Sequence, residues 1–431
     1  MDTLTIGGLA ILAFLILAAL GLPLAFCFAL VGFVGLIFLR SPSSAMALLG
    51  ESPYAAVASY MLACIPMFVL MGEFAFYSGI SKDLFKAADK WAGQLPGGLG
   101  YATMLACTAF AACTGSSVAS AATMGAVAFP EMERYHYNRG LSTGIIAAGG
   151  TLGILIPPST IFIILGIITE ESIGTLFIAG VMPGLMLAAL FLFLIFIQVR
   201  LNPAMGPAGE SSTWGERFKS LSGIWGMLFL FILVLGGLYF GIFAPSEAGV
   251  IGAFGAFILA LIKRSPRKNL LRAVSETATT TAYILFIMVG AVIFNTFMAI
   301  AGLASTFQNL ILSFNWPPYV VITVILLIYI PLGMFLDPLG CVLLSVPVFF
   351  PLVVSLGFDP IWFLVLVCVM VELGLITPPV AINVFVVQGV TKVPMQEVFR
   401  GILPFVIIFV IGVIFLVAFP QISLWLPGTM Q

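Results

Sequence analysis

Apolar residues along this chain come in long blocks parted by short polar stretches, and the blocks form two matching series. Each series opens with three apolar segments: 4–20, 22–39 and 55–78 in the first, 222–243, 245–262 and 276–299 in the second. A mixed segment follows, 81–95 and then 303–316. In the first of these, SKDLFKAADKWAGQL, Leu84, Phe85, Ala88 and Trp91 fall near one helical face and the charges elsewhere, which predicts a helix lying in the membrane interface. Two apolar arms then surround a polar tip: 97–112 and 118–130 around Cys113 to Ser117, 318–335 and 339–352 around Asp337-Pro338. A helical span needs about 20 residues, so these arms predict hairpins that enter and leave on one side. A proline-interrupted segment comes next (140–168 and 361–387), and a last span closes each half (175–199 and 401–419).

The two series are a duplication. LGILIPP at 152–158 returns as LGLITPP at 373–379, an offset of 221, and the same offset carries Gly180 to Pro183 onto Gly401 to Pro404, Pro130 onto Pro351 and Pro96 onto Pro317. The predicted halves are 1–200 and 222–431, joined by a polar linker at 201–221. Each has five spans, an odd number, so the halves must be inverted relative to each other. With the N-terminus outside, the segments 81–95, 131–139, 200–221, 263–275 and 388–400 face the cytoplasm. They hold every Lys and Arg except Arg40, 15 of the 16, as the positive-inside bias requires. Both termini are then expected on the opposite side, with Glu51, Glu170, Glu171 and Asp359.

Composition agrees. The chain is 62% hydrophobic and 8% charged with mean hydropathy +1.22, whereas soluble domains carry roughly 25% charged residues. The expected fold is an all-α polytopic membrane protein of two inverted repeats, each with one span broken at Pro-Pro and one re-entrant hairpin. Residues 4–20 lack a basic start and a cleavage site, so they read as a retained helix. The six cysteines sit in apolar segments without metal spacing and read as core residues. Without a phosphate-binding loop, GxGxxG with an acidic partner, or HExxH, no nucleotide cofactor, nucleic-acid partner or enzymatic centre is expected.

Inverted halves with broken helices are the layout of secondary transporters, where broken backbone lines a cavity. One break offers carbonyls at one half-helix end and free amides at the other. The tip Thr114, Gly115, Ser116 and Ser117 should meet the break at Gly149, Gly150, Thr151 and Gly153, and its hydroxyls and carbonyls suit Na⁺. The second tip, Asp337 to Gly340, should meet Gly374, Thr377, Pro378 and Pro379. Glu247 reads as a cap of its helix and Asn295 as an interhelical hydrogen bond; His136 reads as solvated. For Glu372 two readings stand: an ion or proton ligand, or a packing residue. No Lys or Arg falls in a span centre, so an anionic substrate would draw its counter-charge from helix ends, amides and co-bound cations. The small, Gly-rich elements 97–199 and 317–419 are expected to move as a transport unit against a scaffold of 1–95 and 222–316.

At GGTLGILIPPS (149–159), SIGTLFIAGVMPGL (172–185), APSEAGVIGA (244–253), GMFLDPLGCVLLSVPVFFP (333–351) and GLITPPVAINVFV (374–386), the chain resembles the large membrane subunit of tripartite ATP-independent periplasmic (TRAP) transporters. The resemblance implies an elevator-type importer in the bacterial inner membrane, coupled to at least two Na⁺. The substrate would be an organic anion such as a C4-dicarboxylate or sialic acid, with a small four-helix membrane subunit and a periplasmic binding protein as partners. It implies ions between Ser116/Ser117 and Gly150–Gly153, and between Asp337 and Gly374–Pro379, with Gly340, Thr377 and Pro378 in the second site. Substrate would lie near Ser117, Pro158, Ser159, Pro379 and Asn383. The competing reading is a stand-alone Na⁺/dicarboxylate or citrate symporter that needs no binding protein.

Overall fold

The computed structural model describes residues 3–430, and every regular element among them is helical. Met1 and Gln431, the two ends assigned to the outer side, lie outside the described residues. The first half runs α1 (Thr3–Ala19), α2 (Leu24–Leu39), α3 (Pro42–Val57), α4 (Cys64–Tyr77) and α5 (Ile80–Ala92). It continues with a hairpin of α6 (Gly98–Thr114) and α7 (Ser117–Arg134), a broken helix of α8 (Arg139–Leu155) and α9 (Thr160–Thr169), and α10 (Ile173–Leu201). A short α11 (Trp214–Leu221) leads into α12 (Trp225–Tyr239), α13 (Pro245–Ile262), α14 (Arg267–Ile300) and α15 (Leu303–Ser313). The hairpin α16 (Pro318–Phe335) and α17 (Pro338–Ser355), the broken pair α18 (Pro360–Ile376) and α19 (Ile382–Thr391), α20 (Met395–Ala418) and a final α21 (Gln421–Leu424) complete it. Eight described helices, or nine with the bent α11–α12 pair, are long and apolar enough to cross a membrane, so the chain is a multi-pass membrane protein.

Three elements differ from the sequence reading. The segment 55–78 opens on the last residues of α3, and its span is Tyr60–Tyr77, a 3₁₀ turn at Tyr60–Ala63 running into α4. Its counterpart α14 is continuous over 34 residues and starts at Arg267, well before 276. Helix α3 begins with Ser41 accepting from the Ser44 amide (3.2 Å) and Pro42 in its first turn. It escapes a hydropathy reading because Gly50, Glu51, Ser52 and Pro53 interrupt its apolar positions. The polar linker, finally, is partly helical. Thr213 and Glu216 form a reciprocal capping box at the start of α11, which docks on α5 through the Trp91 indole donating to the Arg217 carbonyl (3.2 Å).

The first three spans of each half interlock. Helix α2 packs on α14 and α4 on α13, contacts that exchange under the repeat. The α2–α14 crossing is close: a Cβ on Gly32 would lie 2.8 Å from the Phe294 backbone, the small-residue packing that lets membrane helices approach without a hydrophobic drive. Phe28 packs beside it against Phe14 in a tilted pair (4.5 Å) and against Phe294 edge to face (5.4 Å). Helices α8 and α18, apolar nearly all round, are buried along almost their whole length and form the centre of the other part. The two hairpins, the second half-helices α9 and α19, and α10 and α20 pack around them.

The basic segments gather at one end. Lys263 pairs with Asp83, Lys90 with Glu216 (3.9 Å), and the Asn269 amide donates to the Tyr77 carbonyl (3.3 Å). The linker is laced to its neighbours there by backbone bonds: Gly97 N to Gly206 O (2.8 Å), Asn138 N to Met205 O (2.9 Å) and Gly209 N to Gly93 O (2.8 Å). Gly140 lies against Glu397 and Gly401, which brings 388–400 to the same end. In the acidic loops outside the spans, burial and then the neighbouring Asp359 charge raise the Glu171 carboxyl above its ordinary range. Single cysteines at Lys268 and Lys392, both exposed, are expected to react with an impermeant thiol reagent only from the cytoplasmic side, and one at Asp359 only from outside. Outside labelling at Lys268 would overturn the inverted arrangement.

Candidate functional site

The first tip turns because Gly115 takes φ +58, a left-handed conformation that suits a residue without Cβ. Ser116 then caps α7, its hydroxyl accepting from Ala119 N at 3.4 Å. Close-packed glycines fit this tip into the first break. A Cβ on Gly153 would lie 2.6 Å from Ser120 Oγ and 2.7 Å from Ser116 O, and one on Gly150 would lie 2.7 Å from Ala121 Cβ. Thr160 Oγ1 donates to Gly115 O (3.1 Å), and Thr114 and Ser120 share a hydrogen bond of 2.6 Å. Thr151 is buried and donates to Ala148 O in its own helix (2.6 Å). The structure thus brings Thr114–Ser117 and Gly150–Gly153 into one compact cluster.

The second tip is arranged differently. Gly374, the repeat partner of Gly153, faces Gly333 in the last turns of α16, where an added Cβ would lie 2.6 Å from the Gly333 Cα. Asp337 instead caps α17 through Gly340 N (2.7 Å) and accepts from the Tyr283 hydroxyl of α14 (3.1 Å). The tight joint at Gly374 is thus a glycine–glycine contact with α16, and the Asp337 carboxylate reaches toward α14. Thr377 donates to Leu373 O (2.6 Å), Pro378 is half-buried and Pro379 is exposed. The Pro157–Pro158 and Pro378–Pro379 bonds are both cis. Ser159 caps α9 through Phe162 N (3.3 Å), whereas Val380 stands at the repeat position and α19 starts with no side-chain cap. Its first amides keep their positive end free.

Between the two tips lies a cavity of about 490 Å³. One wall is formed by Thr114 to Val118, Thr160 and Asp337 to Leu339. The other comes from α4 (Gly72, Glu73, Phe76, Tyr77) and α14 (Glu276, Thr280, Tyr283). Those stretches of α4 and α14 lead to the basic end. Glu73, Glu276 and Asp337 line the cavity and no Lys, Arg or His does. Of the expected substrate residues Ser117 reaches it; Pro158, Ser159, Pro379 and Asn383 do not line it.

Sequence reasoning missed Glu276, Thr280 and Tyr283. Their spacing of four and three residues was the available signal, because it places polar groups on one face of an otherwise apolar helix. The Glu247 carboxylate accepts from the Ala244 amide (2.9 Å) and caps α13. Asn295 Oδ1 has no partner, so the interhelical bond read for it is absent. His136 is exposed and the six cysteines are free and buried.

Comparison with known proteins places this geometry. The profile of the DctM component of tripartite ATP-independent periplasmic transporters matches residues 11–422. The C4-dicarboxylate TRAP transporter large permease protein DctM of Pseudomonas aeruginosa is 35% identical, over 86% of each chain. The 2,3-diketo-L-gulonate TRAP transporter large permease protein YiaN of Escherichia coli is 34% identical, over 90% of this chain and 91% of its own. The solved structure of the Alcanivorax borkumensis YdaH transporter is similar with TM-score 0.65, covering 88% of this chain and 89% of that one at 14% identity, a likeness of fold alone.

Proposed function

Since the chain belongs to the DctM component family of tripartite ATP-independent periplasmic transporters, we propose that it imports a small organic anion across the bacterial inner membrane, coupled to Na⁺. A periplasmic binding protein delivers the substrate and a separate small membrane subunit completes the complex. The substrate is a dicarboxylate or a sugar acid, the classes for which its relatives are named.

The observation that carries the coupling is electrostatic. A cavity lined by three carboxylates and no basic side chain repels an anion unless cations enter with it, since like charges near a protein surface cost on the order of several kcal/mol at contact distances. Hydroxyls and break carbonyls at Ser116, Ser117, Gly150 and Gly153, with Asp337, Gly374 and Thr377 on the other side, are the hard oxygen donors that would hold Na⁺. The free amides opening α19 would face a substrate carboxylate. Transport proceeds by an elevator. The hairpins, broken helices, α10 and α20 move as one body past α1–α5 and α12–α15, and the cavity toward the basic end is the inward-facing state.

In vesicles containing both membrane subunits and the binding protein, Ser116→Ala and Ser117→Ala are each expected to raise the Na⁺ concentration for half-maximal uptake several-fold. Each removes an oxygen ligand or a supporting hydrogen bond, a loss of roughly 1 kcal/mol. Unchanged Na⁺ dependence in both would remove this tip from the ion site. Omitting the binding protein separates the alternative: a stand-alone symporter would transport without it.

A further inference from the structure

Behind the first tip, on the side away from the cavity's acidic wall, lies a second polar cluster that is fully enclosed. Glu372 in α18 is 0% exposed. Its Oε1 accepts from Ser117 Oγ at 2.5 Å, and its Oε2 has no partner. Among the described residues no basic side chain forms an ion pair with it. Asn383, in the first turn of α19, is also 0% exposed, and neither its Oδ1 nor its Nδ2 finds a hydrogen bond.

The two residues lie at the same depth. Helices α7 and α19 both run toward the basic end, and Val390 packs at the position where a Gly125 Cβ would sit, 3.4 Å away. Seven residues earlier, about two helical turns, Asn383 comes level with Val118 and hence with Ser117. Cys368, one turn before Glu372, points its sulfur toward the Ile154 carbonyl at 4.0 Å, which holds α18 against the open end of α8. The Glu372 carboxylate thus lies against the Ser117 hydroxyl with one oxygen unpartnered, Asn383 stands at the same level on α19 with both polar atoms unpartnered, and Ser117 lines the cavity.

Native interiors rarely leave such atoms unpaired, and an ionised carboxylate buried without a counter-charge is strongly unfavourable. We infer that Glu372, Ser117 and Asn383 form a monovalent cation site behind the first hairpin tip, with the Glu372 carboxylate supplying the compensating charge. The donors are a carboxylate, a hydroxyl and an amide oxygen, hard ligands that match Na⁺ rather than a transition metal. Ser117 is the point of entry, since it touches both the cavity and the carboxylate. The site extends the sodium-coupled reading above and rests on it. What it adds is a full negative charge to a set of neutral hydroxyls and carbonyls. It also ties the first hairpin to the central helix of the second half, so that ion occupancy fixes the two halves of the mover together.

The test is a Na⁺ titration of the thermal unfolding of the full chain in its complex with the small subunit, at constant ionic strength with choline as the balancing cation, together with Na⁺-dependent uptake in vesicles. A ligand that binds only the folded state stabilises it in proportion to its occupancy. Glu372→Gln keeps shape and removes the charge. It is expected to raise the Na⁺ concentration for half-maximal stabilisation by about tenfold or more, the loss of one charge-assisted contact, and to lower the Hill coefficient of uptake by about one. Asn383→Ala, which leaves the carboxylate in place, should give a several-fold shift in the same direction. Wild-type Na⁺ titrations in both variants would overturn the site, as would a Glu372→Gln chain that is simply more stable without Na⁺ and titrates normally, because the carboxyl would then be protonated rather than ion-bound. If the unsubstituted protein responds to Na⁺ neither in stability nor in uptake, sodium coupling itself fails. A wild type that responds, with variants that respond identically, overturns this site alone.

Discussion

Bridging residue 227 to the first hairpin tip should stop transport. Met227 in α12 is buried, and its sulfur lies 3.4 Å from the sulfur of Cys113, the residue that opens the tip. One partner belongs to the proposed scaffold and the other to the proposed mover, so Met227→Cys places two thiols across the sliding surface. In vesicles treated with Hg²⁺ or a mild oxidant, uptake by this variant is expected to fall below about a tenth of its untreated rate and to return with dithiothreitol. Wild type and Met227→Ser, treated in parallel, should keep most of their activity. The magnitude follows from the nature of the constraint. Non-covalent contacts across a sliding surface shift a population by a few kcal/mol at most, and such shifts leave residual turnover, whereas a covalent bridge leaves one state. Full transport by protein shown by mass to be bridged would mean that the tip never leaves α12 during the cycle, and a local gate would replace the elevator.

The second large effect concerns the paired glycines of the repeat. Gly374→Ala is expected to lower the initial rate of uptake by tenfold or more and to reduce thermal stability in detergent. Its new Cβ would fall 2.6 Å from Cα and 2.7 Å from C of Gly333, and a backbone cannot rotate aside as a side chain can. Overpacking of this kind costs about 1–3 kcal/mol, and at this position the strain separates the second hairpin from its break. Gly153→Ala should be milder. One of its two nearest neighbours is the Ser120 hydroxyl, which can turn away, and only the Ser116 carbonyl is fixed. Equal losses in the two variants, or none at Gly374, would show that the hairpin contacts are not the tight joints described.

What the sequence made legible was what depends on local pattern. The glycine-framed proline pairs located both breaks because proline cannot continue a helix and no other residue imposes that. The arms around Cys113–Ser117 and Asp337 were bounded by their length against the width of a bilayer. What it hid depends on packing between distant segments. Nothing near Asp337 in sequence announces that its carboxylate reaches Tyr283, 54 residues away. Nor does the Glu276, Thr280 and Tyr283 stripe reveal that it faces a tip rather than lipid. Helix α3 was hidden for a third reason: its order comes from a Ser-Pro cap and partial burial rather than from a strong apolar face. Asn383 shows the limit most plainly. The motif around it implies a place near the substrate, but not that its side chain is enclosed with neither polar atom hydrogen-bonded.

The lengths of the chain connections set how far any part of this molecule can travel. Extended chain covers at most about 3.5 Å per residue. The stretch 202–213 leading out of α10 could pay out roughly 40 Å once its bonds to Gly93, Gly97 and Asn138 let go. The connections from α5 to α6 and from α15 to α16, at 93–97 and 314–317, are far shorter, with a reach of roughly 14–18 Å by the same figure. While α5 and α15 stay still, the root of each hairpin must remain within that distance of the helix end that feeds it, whatever the energetics of the sliding surface. The first hairpin is thus moored at its root to α5 and the second to α15, and only the long laced linker leaves slack for one half to shift against the other.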